Sequence, residues 1–201
     1  MDKRIQKTRN AIREAYFSLL LQKKNAHITI TEIAKTANID RKTFYLHYDS
    51  VTDVSREFCE EKIQDLLFEL KKDDFFERPF DTAGLFRTLN NQVEQDLDFY
   101  QRVAQEHVYD FFWEQLQDII CSTLQDVYLP ETELPLEQFK VCAQFFAAGL
   151  ISVYRNWLIK NSHSLDINTL GQVIGNTAYY GLQTIFSHPA FTKEINEWTI
   201  L

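Results

Sequence analysis

Thr29 to Tyr48 reads TITEIAKTANIDRKTFYLHY. Ile30, Ile33, Ala34 and Ala37 recur at the spacing of one helical face. Thr29 and Glu32 stand three apart ahead of that face, the pattern of a capping box in which hydroxyl and carboxylate satisfy amides at a helix start. Asn38 stands where a left-handed residue would end this helix, and asparagine tolerates positive φ better than most residues other than glycine. Ile39 then plugs the turn into a core, and Asp40 is placed to N-cap a further helix over Arg41–Tyr48. On that helix Phe44 faces inward, while Arg41, Lys42, Thr43, Tyr45, His47 and Tyr48 lie along its exposed sides.

Two short helices around a tight turn, the second loaded with basic and polar groups, make a helix-turn-helix. In this motif the start of the second helix enters the major groove of double-stranded DNA, and flanking groups hold phosphates. Arg41 and Lys42 stand at the groove-facing start, where an arginine can contact guanine through two hydrogen bonds. Tyrosine hydroxyls and the His47 imidazole suit phosphate oxygens. Tyr48 is as well suited to packing in the core, and no second metal ligand stands at a suitable distance from His47.

The charge distribution points the same way. The 201-residue chain has a formal net charge of -8. Met1 to Tyr48 holds 10 Lys+Arg against 4 Asp+Glu, a net of +6, while the remainder holds 11 against 25, a net of -14. A basic head on an acidic body implies that the head alone meets a polyanion. Cys59, Cys121 and Cys142 are far apart and odd in number, which suits free thiols in a reducing cytoplasm. The charged N-terminus lacks the apolar stretch of a signal peptide, and no apolar run is long enough to span a membrane.

Outside the motif the chain reads as helix throughout. Lys3–Leu21 is periodic, with Ile5, Ile12, Ala15, Tyr16, Leu19 and Leu20 on one face. Asn25-Ala26-His27 reads as a loop. Ser50 and Asp53 repeat the capping pattern and open a long helix through roughly Leu70, and Lys71–Pro79 is a charged break. Further helices are expected near Asp81–Leu97, Phe99–Gln105, His107–Val127, Glu137–Lys160 and Asp166–Phe186. Leu129–Pro135 and Asn161–Leu165 are connections. With few Gly and Pro and no alternating pattern, the expected class is all-α, with a head over residues 1–49 and a helical body over 50–201.

The motif T-I-T-E-I-A-x-x-A-x-I-D-R-K-T-F-Y-x-H-Y, followed by a capped helix from Ser50, resembles the TetR family of bacterial transcription regulators over about Lys3 to Cys59. The resemblance implies a three-helix DNA-binding head and a helical body that dimerises and often binds a small molecule. It places Thr29 and Thr31 on the phosphate side, Arg41, Lys42 and Thr43 at the bases, and Tyr45, His47 and Tyr48 at the backbone or packed beside it. The sequence departs from the pattern at Asn38, where glycine is usual, and at Val51, where a phosphate-binding lysine is common. Lys3, Arg4 or Lys42 can supply the missing contact, and Lys3 and Arg4 can reach a phosphate or the minor groove. The run FFAAGLxxxYRNWLI, within Phe139 to Phe186, resembles the C-terminal domain of regulators related to the dihydroxyacetone-kinase activator.

The last two helices carry apolar residues at helical spacing together with small residues that permit close approach: Ala147, Ala148, Gly149, Gly175, Ala178 and Gly181. As the resemblance implies dimerisation through the last helices, Phe146, Gly149, Val153, Trp157, Ala178, Leu182 and Ile185 are the candidate dimer residues, and a two-fold dimer implies a roughly palindromic operator. Phe86, Phe99, Tyr100, Val103, His107, Phe111, Phe112 and Trp113 make either an ordinary aromatic core or an apolar effector pocket. In the second case Phe86, Phe111 and Trp113 line it, with Tyr100 or His107 as polar handles. The sequence holds no GxSxG, P-loop, GxGxxG, HExxH or paired Cys/His motif, so neither catalysis nor a metal or cofactor is expected. The expected function is a dimeric repressor released by a small molecule. The alternative is a coactivator whose body takes its signal from a partner protein.

Overall fold

The computed structural model describes residues 3–23, 27–72, 82–160 and 165–187. The head comprises α1 (Lys3–Gln22), α2 (Ile30–Thr36) and α3 (Arg41–Tyr45), and α4 (Val51–Lys72) leads away from it. The body continues with α5 (Thr82–Gln95), α6 (Leu97–Gln105), α7 (Asp110–Tyr128), α8 (Leu136–Ile159) and α9 (Ile167–Ser187). Short 3-10 turns occupy His107–Tyr109 and Leu129–Glu131. There is no strand among the described residues.

The head forms because its local signals agree. Thr29 closes the capping box: the Glu32 amide donates to the Thr29 hydroxyl at 3.3 Å, and the Thr29 amide donates to the Glu32 carboxylate at 2.9 Å. Asn38 takes φ 54, the left-handed turn that lets α2 end and the chain reverse. The Asp40 carboxylate accepts the Thr43 amide at 2.8 Å and starts α3. Phe44 is fully buried with Ile12, Ala15, Tyr16, Leu20 and Ile33 nearby in one core, a burial that contributes roughly 1.5–3 kcal/mol for the ring alone. Ile5, expected on the same face of α1, is exposed, because it lies at the end of the helix beyond the part that α4 and α6 cover.

α3 is shorter than its expected span to Tyr48. The Leu46 amide bonds back to the Lys42 carbonyl at 3.2 Å, and the helix closes there. α4 is longer than expected and runs past Leu70 to Lys72. The expected break up to Pro79 beyond it, the loop at Asn25-Ala26 and most of the connection over 161–165 lie outside the described residues.

One core joins head and body. Phe17 stacks on Phe58 of α4 at 5.0 Å between ring centres, and Phe58 meets Phe99 of α6 at 5.5 Å. The Tyr16 and Tyr109 hydroxyls share a buried hydrogen bond of 2.8 Å. Arg102 of α6 donates to the Lys23 carbonyl at the end of α1. In the body α8 packs on α6 and α7, while α9 packs on α5. Gly171 and Gly175 make that second packing possible. A Cβ on Gly171 would sit 2.5 Å from the Asn90 side-chain nitrogen, and one on Gly175 would sit 3.0 Å from the Phe86 ring. Asn90 is buried and satisfied, donating to the Ile167 carbonyl at 2.9 Å and accepting from the Tyr154 hydroxyl at 2.6 Å.

Candidate nucleic-acid interface

The exposed surface of the helix-turn-helix is built from α2, the turn and α3. Arg41 and Lys42 are exposed and form no ion pair among the described residues. Tyr45 is exposed next to them, its ring edge-on to the buried Phe44 at 5.8 Å. Thr31 is exposed on α2, and Lys3 and Arg4 are exposed at the start of α1. These side chains stand at the surface, within reach of a polyanion.

Other candidates are engaged or enclosed. The Thr29 hydroxyl donates to Glu32 at 2.8 Å and its amide is also used, so Thr29 acts first as a cap. The Thr43 hydroxyl donates to Asp40 at 3.1 Å. His47 is half-buried, and its carbonyl accepts from Arg9 at 3.1 Å. Tyr48, which the sequence suits equally to the core or to the DNA side, is 5% exposed and belongs to the core. The reason is its register. Tyr48 lies one turn beyond Phe44, its amide bonds to the Phe44 carbonyl at 3.0 Å, and the two rings sit 5.9 Å apart. The Arg9 guanidinium covers its ring at 4.5 Å. Burial and the neighbouring Glu57 carboxylate push the Tyr48 phenol up to about 12. Its hydroxyl stands beside Glu57 without a well-formed hydrogen bond, because Glu57 is turned toward Arg9 and Arg13.

Arg9 and Arg13 therefore work inside the molecule. Both bond Glu57 of α4, Arg13 at 2.5 Å, and Arg13 also reaches Glu61 at 3.0 Å. Burial alone would push the Glu57 carboxyl up; the two arginines outweigh it and hold the group below its ordinary value. The Lys23 ammonium at 2.6 Å and the Thr29 cap hold Glu32 down to about 2. Hydrogen bonds from the Thr43 amide and hydroxyl lower Asp40 in the same way.

The sequence reading missed Leu46, which is 81% exposed immediately after α3. A leucine flanked by Tyr45 and His47 is the available signal, since such a side chain outside any core suits contact with a thymine methyl.

In the body, an apolar cavity of about 100 Å³ opens between α4, α5, α6, α7 and α8. Tyr100 and Trp113 are among its lining residues. Phe86 does not; it is buried beside it, stacked on Tyr154 at 6.4 Å. His107 is exposed on the outside, 3.1 Å from Asp110, and cannot serve as a handle. Phe111 is half-buried beneath the Arg56 guanidinium at 4.8 Å. Most of the lining is Leu, Ile and Val from helices whose aliphatic residues carried no distinguishing motif.

The α8 surface also corrects expectation. Gly149 and Val153 are exposed, but Phe146 faces the cavity and Ala178 is buried within the chain. Trp157 is half-buried and donates from its indole to the Leu165 carbonyl at 2.9 Å. The Leu182 and Ile185 side chains lie outside the described residues. The uncovered apolar stripe runs through Val141, Phe145, Ala148, Gly149 and Val153, with Phe145 84% exposed. Val173 and Tyr180 are exposed on α9. No described helix is long and apolar enough to cross a membrane.

No family model matches the chain. Its sequence is 43% identical over 49 residues to the HTH-type transcriptional regulator YxbF of Bacillus subtilis (strain 168), a stretch covering 24% of this chain and 13% of that protein. Among solved structures, the dihydroxyacetone kinase operon activator DhaS aligns over 90% of this chain and 98% of its own, with a TM-score of 0.66 and 16% identity. A TetR transcriptional regulator from Streptococcus agalactiae 2603V aligns over 88% and 96%, with a TM-score of 0.61 and 24% identity. The fatty acid degradation regulator FadR from Bacillus halodurans aligns over 88% and 96%, with a TM-score of 0.63 and 16% identity. The chain thus has the all-α fold of TetR-type transcriptional regulators, with a helix-turn-helix head on a helical body.

Proposed function

We propose that the chain is a DNA-binding transcription regulator of TetR type, acting in the cytoplasm as a homodimer on a palindromic operator. The observation that carries this reading is the set Arg41, Lys42 and Tyr45, exposed on the second helix of a helix-turn-helix within a segment, Met1–Tyr48, of net +6. Residues 1–49 form the DNA-binding head and 50–201 the regulatory and dimerisation body. Arg41 and Lys42 meet base edges, and Thr31, Tyr45, Lys3 and Arg4 hold the backbone. His47, half-buried, contributes from the margin of this surface. The acidic body stays off the duplex by repulsion.

Dimerisation through the exposed stripe of α8 and the neighbouring face of α9 supplies the second head, and with it the second half-site. A small-molecule effector in the body releases a repressor by favouring one of two arrangements of the heads. A second reading is supported by the same stripe: Phe145 and Val141 can seat a partner protein, making the chain a coactivator, and one similar structure is named an operon activator.

The test is footprinting of the purified protein on the DNA beside its own gene, across a salt series. A protected palindrome whose affinity falls steeply with salt is expected, since each neutralised phosphate releases counterions. Absence of protection at low salt would overturn DNA binding by the protein alone and leave the coactivator.

A further inference from the structure

We infer that Leu46 is a specificity-determining residue: it selects a thymine, through the C5-methyl group in the major groove, within about two base pairs of the base that Lys42 meets. This rests on the DNA-binding function proposed above and names one feature of the sequence that the head selects.

Leu46 is 81% exposed, and among the described residues of the head it is the most exposed large hydrophobic side chain. Its setting is fixed by the close of α3. The Leu46 amide bonds to the Lys42 carbonyl at 3.2 Å and to the Thr43 carbonyl at 3.3 Å. Two residues to either side, Phe44 and Tyr48 are buried and anchor the backbone to the core. The leucine is therefore held outward by packing on both sides of it. Leaving it in water forgoes the stabilisation that burial of such a side chain brings.

Its neighbours decide what it can meet. Leu46 follows Lys42 by four residues, so the two share a side of the helix with Cβ atoms about 5–6 Å apart. Arg41 and Lys42 can donate hydrogen bonds and cannot accept them. The Asp40 carboxylate beside them is spent on the Thr43 amide at 2.8 Å and the Thr43 hydroxyl at 3.1 Å. This side of the segment thus offers cationic donors and one hydrocarbon group. In the major groove guanine shows two acceptors, and thymine shows an acceptor together with a methyl group; no other base shows a methyl there. A phosphate is charged and offers a leucine no comparable gain. Base pairs stand about 3.4 Å apart along the duplex, so the spacing of Lys42 and Leu46 corresponds to about one to two steps.

The experiment uses the full chain to select duplexes from a random-sequence pool at low salt. Each thymine of the selected site is then replaced in turn by deoxyuridine, which removes the methyl group and leaves the base pair. At one thymine close to a guanine, the replacement is expected to weaken binding about fourfold, the worth of one buried carbon. Leu46→Ala is expected to bind the thymine and deoxyuridine duplexes equally, with Tm within a few degrees of the parent because the side chain is exposed. Leu46→Met, apolar and similar in size, is expected to keep the discrimination. If no thymine is sensitive to loss of its methyl group, or if Leu46→Ala keeps the sensitivity, the inference is overturned and DNA binding stands. If no duplex is selected, the DNA-binding reading is overturned and this inference with it.

Discussion

Arg41 and Tyr45 share a short exposed segment, yet neither contributes to the core that Phe44 anchors. The double substitution Arg41→Ala with Tyr45→Phe is therefore expected to weaken operator binding at least tenfold, as loss of one base contact costs about 1–3 kcal/mol. The helical circular dichroism should not change. Retained affinity in a gel-shift titration would remove these residues from the interface. Acid acts on a different set. Glu32 is held at about 2 against an ordinary 4.5, first by Lys23 and then by Thr29, so its capping contribution is complete above 4.5 and is lost as pH falls toward 2. The Tm should fall across that window, and Glu32→Gln should flatten the fall. An unchanged pH profile in the variant would show that the cap contributes nothing. The capping residues and Asn38 were legible in the sequence because each acts on amides within four residues of itself. The burial of Tyr48 was half legible: its spacing from Phe44 places it on the same face, but only the packing of Arg9 and α4 around it closes the site.

At the scale of the helices, α6 touches the cavity, α1 and α8 at once. Tyr100 is on its cavity side, while Arg102 and the following Tyr109 tie it to the head through the Lys23 carbonyl and the Tyr16 hydroxyl. The packing of α5 on α9 depends on Gly171. Gly171→Ala is expected to destabilise by about 1–3 kcal/mol, read as a lower urea midpoint, because the new Cβ drives into Asn90 and disturbs its bonds to Tyr154 and Ile167. An unchanged midpoint would mean that α9 shifts freely. The same substitution at Gly149 meets nothing within 4 Å among the described residues, so it is expected to leave the urea midpoint unchanged.

For the whole molecule, the proposed homodimer is tested at the exposed stripe on α8. Phe145→Glu should convert a dimer to a monomer in light scattering and weaken operator binding, while leaving Tm of the isolated chain within a few degrees, because the ring is 84% exposed in the monomer. A dimer that survives the change would assign the stripe to another partner. The sequence alone determined the helical class, the helix-turn-helix and the division of charge, since these follow from periodicity, capping and composition along short stretches. Tertiary structure decided what lies inside. It turned Phe146 toward a cavity and Ala178 toward the core, left Phe145 outside, excluded His107 from the cavity and paired Arg9 and Arg13 with Glu57. A helix with apolar residues on more than one face does not encode which face meets its own chain; only the neighbouring helices choose between them.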